Sequence, residues 1–93
     1  MKLMPNIDQV TIPGLYQVLT VAVEAHPGEH GGMAALLRIT IEQYHKLLND
    51  PANKDKLGVP QYYTQSGETL YLWPKSDIER ELEIQYHTHV MRV

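Results

Sequence analysis

The stretch Pro60-Gln-Tyr-Tyr-Thr-Gln-Ser-Gly-Glu-Thr-Leu-Tyr-Leu-Trp-Pro74, followed by an alternating run from Glu81 to Val93, constrains this chain more than any other part of it. Gln61 to Gln65 and Glu68 to Trp73 are aromatic, β-branched runs on either side of Ser66-Gly67. Two such runs joined by two residues, one of them glycine, predict a β-hairpin. Pro74 lacks a backbone donor and ends the pairing, and Lys75-Ser76-Asp77 turns the chain. Beyond it, Leu82, Ile84, Tyr86, Thr88 and Val90 alternate with Glu83, Gln85, His87, His89 and Met91. Successive strand side chains point to opposite faces, so one row is core and the other is wet or covered by a partner. Ser76-x-x-Glu79 is a possible capping box, but one local cap is outweighed by alternation over ten residues.

The earlier segments read as further β structure around one helix. Pro5 and Pro13 resist helix and make residues 1–13 an extended arm, lying on its own domain or on a neighbour. From Leu15 to His26 the period is again two. Leu15, Leu19, Val21, Val23 and Ala25 are expected on one face, and Tyr16, Val18, Thr20, Ala22 and Glu24 on the other. His26 to Gly32 is a glycine-containing loop, and Met33 to Ile39 returns as a second strand. Thr40 and Gln43 form a T-x-x-Q capping box, with Ile39 and Tyr44 at the staple positions. Ile41, Tyr44, Leu47 and Leu48 share one helical face, and Asn49-Asp50-Pro51 stops the helix, which spans about 40–50. The loop Ala52 to Val59 is polar. The predicted fold is mainly β (α+β): a small antiparallel sandwich or partly open barrel with one short helix, in a single domain over residues 1–93.

Size and charge narrow the function classes. Ninety-three residues support one modest core, and oligomerisation is a common remedy for so small a domain. No cysteine is present, so disulfides and thiolate metal sites are excluded. Eight basic residues face eleven acidic ones, and the basic residues are scattered, with only Lys54 and Lys56 close together. That disfavours specific nucleic-acid binding, which needs a basic stripe. No apolar run approaches the roughly 20 residues of a membrane span, so no membrane partner is expected. Met1 to Pro5 lacks the apolar core of a signal peptide, and synthesis in the cytoplasm is expected.

Candidate chemistry is sparse. His87 and His89 lie two apart on a strand, so both imidazoles share a face and could meet one metal ion, with a third ligand from His26, His30, Glu81 or Glu83. The competing reading is a polar strand face, since H-x-H alone supplies too few ligands. The loop His26 to Gly32 matches neither a P-loop nor a dinucleotide fingerprint. Ser66 and Ser76 sit in expected turns without a nucleophile elbow. Glu79, Glu81 and Glu83 share one strand face, where charges are normally solvated. No enzyme activity, no cofactor and no metal are therefore expected. Tyr62, Tyr63, Tyr71 and Trp73 crowd the hairpin, and Tyr62 and Tyr63 must point to opposite sides. One of them is expected at an exposed or partner-covered surface. The candidate interface residues are thus Glu81, Glu83, His87, His89, His26, His30, Tyr62 and Tyr63, together with the arm and the loop Ala52 to Gly58.

Leu37-Arg-Ile-Thr-Ile-Glu-Gln-Tyr44, Gly58-Val-Pro-Gln-Tyr-Tyr63, Thr69-Leu-Tyr-Leu-Trp-Pro74 and Leu82-Glu-Ile-Gln-Tyr86 occur in that order. This succession resembles the β-domain of head-to-tail adaptor (neck, connector) proteins of tailed bacteriophages, without the helical bundle that usually precedes it. The resemblance covers about residues 15–90 and rests on the order and spacing of common residue types. It implies a virion structural protein, made in the host cytoplasm, that forms a ring and packs against other virion proteins. It carries over no catalytic residues. Two other readings are a small phage-encoded binding module that inhibits a host protein, and a metal-dependent enzyme using His87 and His89.

Overall fold

The computed structural model describes residues 1–25, 32–53 and 55–88, apart from the side chain of Thr88. The described residues form ten strands: β1 (Lys2–Leu3), β2 (Gln9–Thr11), β3 (Leu15–Glu24), β4 (Met33–Ala35), β5 (Leu37–Arg38), β6 (Leu57–Gly58), β7 (Tyr62–Ser66), β8 (Thr69–Trp73), β9 (Lys75–Ser76) and β10 (Arg80–Thr88). One α-helix, α1 (Ile41–Asn49), lies between β5 and β6 and is followed by a 3-10 turn at Pro51–Asn53. The strands form two four-stranded sheets, in the orders β1-β10-β3-β4 and β2-β8-β7-β5, and a small β6-β9 pair. Pairing is antiparallel within the large sheets except for the parallel β5–β7 contact, and neither sheet closes into a barrel.

The core lies between the two sheets. Leu3, Leu15, Val18, Val21, Val23 and Leu82 from one sheet meet Leu70, Leu72 and Tyr63 from the other, and Ile12 and Leu36 close the sides. The side amide of Gln65 spans the gap: its oxygen accepts from the Val18 N–H at 3.2 Å and its nitrogen donates to the Tyr16 carbonyl at 3.1 Å. The helix covers the opposite face of the β2-β8-β7-β5 sheet, where Tyr44 packs on Tyr71 with ring centroids 5.5 Å apart.

Most elements form where local chemistry places them. The Gln43 N–H donates to Thr40 Oγ1 at 3.1 Å and the Thr40 N–H donates to Gln43 Oε1 at 2.9 Å, completing the expected capping box. The hairpin forms with its loop one residue later than expected, at Gly67-Glu68 between the paired Ser66 and Thr69. Gly67 holds φ +60, which glycine adopts without steric cost. Residues 1–13 lie on their own chain: β1 pairs with β10 and β2 with β8, extending both sheets.

Three expectations change. Met33 to Ile39 is not one strand: β4 pairs with β3, the chain crosses between sheets at buried Leu36, and β5 then pairs with β7. Lys75-Ser76, expected as a turn, pairs in parallel with Leu57-Gly58. The third change concerns β3. Its inner residues are Leu15, Val18, Val21 and Val23: Leu19, expected on the face of Leu15, Val21 and Val23, is 46% exposed, and Val18, expected on the other face, is buried with them. The register explains this. Gln85 opposes Thr20 but Tyr86 opposes Val18, and His87 opposes Gln17 but Thr88 opposes Leu15. Leu19 and Tyr16 are therefore extra residues at two β-bulges, and each bulge shifts the alternation by one.

Candidate functional site: the uncovered sheet face

The β1-β10-β3-β4 sheet has no helix over its outer face among the described residues. That face is assembled from four strands. Lys2 stands opposite Glu81 on β1 and β10; Ala22, Thr20 and Gln17 of β3 stand opposite Glu83, Gln85 and His87. Met33 and Ala35 of β4 stand beside Glu24 and Ala22. At the bulges Tyr16, 59% exposed, and Leu19, 46% exposed, add to the apolar part of this mixed face. The two bulges thus turn Val18 into the core and Leu19 out to solvent, where it joins Tyr16 on the exposed face.

Charge on the face is graded along β10. The N-terminal amine pairs with Glu81 at 3.2 Å and Lys2 Nζ with Glu79 at 3.4 Å. Glu83 has no ion pair among the described residues, and Gln85 and His87 follow it on the same exposed row. Such exposed pairs contribute about 0–1 kcal/mol each, so they orient more than they stabilise.

The end of this sheet is held by Arg80, which is buried. Its Nη1 donates to the carbonyls of Glu24 at 2.9 Å and Ala25 at 2.5 Å, its Nε to Ser76 Oγ at 3.0 Å, and its Nη2 to Asp77 at 2.7 Å. The hydrogen bond from Arg80 is the largest cause holding the Asp77 carboxyl below its ordinary value. Arg80 escapes a reading that starts the alternation at Leu82. Extended two residues back, the same row places an arginine inside, where a charge persists only when paired.

The expected interface residues are distributed unevenly. Glu81, Glu83 and His87 lie on the exposed row. Tyr63 points into the core at 5% exposure, so its ring offers nothing to a partner. Tyr62 points the other way, half-buried, stacked on Trp73 at 5.9 Å. It borders a groove of about 380 Å³ with Ile39, Gln43, Lys46, Leu47 and Asp50. His26, His30 and His89 lie outside the described residues, and so does the proposed pairing of His87 with His89. Among the described residues no three His, Cys, Asp or Glu side chains gather as metal ligands.

A second groove, of about 240 Å³, is lined by Asp8, Asn53, Asp55, Lys56, Trp73 and Lys75. Lys56 Nζ sits 5.2 Å from the Trp73 ring centroid, a cation–π contact. The Tyr44 hydroxyl is pushed up to about 12 by burial first, then by the charges of Asp8 and Tyr71. A phenol shifted that way stays neutral at physiological pH and acts in packing between helix and sheet. No described helix is long and apolar enough to cross a membrane. No protein-family model matches the chain, and the search of curated proteins finds no match.

Proposed function

We propose that this chain is a structural component of a tailed-phage particle, at the neck, the head–tail junction or the tail. It works by ring-type self-association and by packing against neighbouring virion proteins, without catalysis or cofactor. The observation that carries the reading is the asymmetry of the two sheets: one is covered by α1, the other presents Leu19, Met33, Glu83 and His87 with no covering layer among the described residues. Mixed faces of aromatic, aliphatic and charged residues suit repeated protein contacts, and symmetry multiplies weak ones. The succession of strand, short helix, hairpin and return strand is also the order on which the resemblance to adaptor β-domains rests.

The test is mass spectrometry of purified particles together with sedimentation of the isolated chain. Stoichiometric presence in particles and concentration-dependent assembly are expected. Complete particles that lack the chain would contradict the proposal. If the chain instead purified with one host protein and never with particles, the binding-module reading would replace it.

A further inference from the structure

We infer that the free edge of β10 pairs with the same edge of a second copy, antiparallel and two-fold symmetric about Gln85. This goes beyond the virion reading and does not depend on it. β1 covers β10 only at Arg80 and Glu81, with the Leu82 N–H reaching the Met1 carbonyl at 2.7 Å. From Glu83 onward no described strand lies on that side. Backbone groups alternate sides along an antiparallel strand. Since Leu82 faces β1, Ile84 and Tyr86 also direct N–H and C=O outward, while Glu83, Gln85 and His87 bond to β3. Unpaired edge groups of this kind are templates for another strand.

The sequence of the edge selects both the occupant and the register. With Gln85 opposite Gln85 of the second copy, Ile84 meets Tyr86 and Glu83 meets His87, each twice by symmetry. The outward-facing pairs Ile84–Tyr86 then form the closely hydrogen-bonded rings, as the backbone requires. An aliphatic–aromatic pair on the inner row and a carboxylate–imidazole pair on the outer row are both favourable cross-strand partners. Ile84 is only partly buried and Tyr86 is 40% exposed in the single chain, so pairing covers apolar surface that the core leaves open. A shift of one step toward the amino end runs into Met1. The opposite shift sets Tyr86 against Tyr86 and leaves Ile84 facing Thr88. Five residues per strand pair, Glu83 to His87, so the contact is small and concentration-dependent.

The chain has no cysteine, which makes the test clean. Gln85→Cys places two thiols across the dyad, within the Cα separation a disulfide spans. Gln17→Cys, exposed but one strand in from the edge, is the control. Under mild oxidation Gln85→Cys should dimerise at least about tenfold faster than the control, because pairing raises the effective thiol concentration. His87→Glu in the Gln85→Cys background should slow it by setting carboxylates opposite each other, and Glu83→Lys together with His87→Glu should restore it. Equal rates for the two cysteine variants, or cross-linking indifferent to both charge changes, would overturn the inference.

Discussion

A guanidinium on the inner row of β10 must be neutralised where it stands, and Arg80 is satisfied by two carbonyls, a hydroxyl and a carboxylate. Removing it takes a donor from the Glu24 and Ala25 carbonyls, while the Ser76 hydroxyl keeps only its bond to the Ile78 carbonyl. Arg80→Ala should cost about 2–4 kcal/mol, read by urea denaturation. In a chain of this size that lowers the thermal midpoint by roughly 10–25 °C. Asp77 gives the pair a pH signature. Its carboxyl is held below the ordinary value near 3.8, chiefly by the Arg80 hydrogen bond, so its contribution is full above that value. It is lost as pH falls through the lower, folded value. Thermal midpoints of the parent chain and Asp77→Asn should therefore differ at neutral pH and converge once the pH has fallen through the lowered, folded value. A gap that persists undiminished into acid would refute the assignment.

At the scale of elements, the bulges of β3 make neighbouring residues behave oppositely. Val18→Ala should cost about 2 kcal/mol, because it opens a cavity between the sheets. Leu19→Lys should stay within about 0.5 kcal/mol, because the side chain already faces outward. Equal costs would mean that the strand runs without a bulge. Thr40→Ala should cost about 1 kcal/mol through the lost helix cap, and Thr40→Ser should recover most of it; both are read from denaturation midpoints. The capping box, the hairpin and the alternation of β10 were legible in the sequence because each depends on residues close together in the chain. The bulges were not. Periodicity assumes an unbroken count, and Tyr16 and Leu19 break it only through the register of β3 with Tyr86 and His87, far along the chain. The crossover at Leu36 was hidden for a related reason: Met33 to Ile39 holds no glycine or proline to mark a break, and only pairing with β3 and then with β7 divides it. The exposed row of Glu81, Glu83 and His87 followed from alternation, whereas Arg80 required carrying that count two residues back from Leu82.

On the scale of the whole molecule, distant segments of the chain complete each sheet. β1 and β10 are neighbours in one sheet, β2 and β8 in the other, so each sheet waits for late residues. The longest pairing, between β3 and β10, joins segments about 60 residues apart, and contacts of such range slow folding. During synthesis at about 5–20 residues per second, the apolar run Leu15 to Glu24 emerges roughly 3–12 s before the strand that covers its edge. For those seconds it is a bare, β-prone ribbon beside identical nascent ribbons on the same messenger. Crowding along a polysome is therefore a second route to edge pairing, beside the free edge of the finished β10, and slowing ribosome loading should raise the soluble yield.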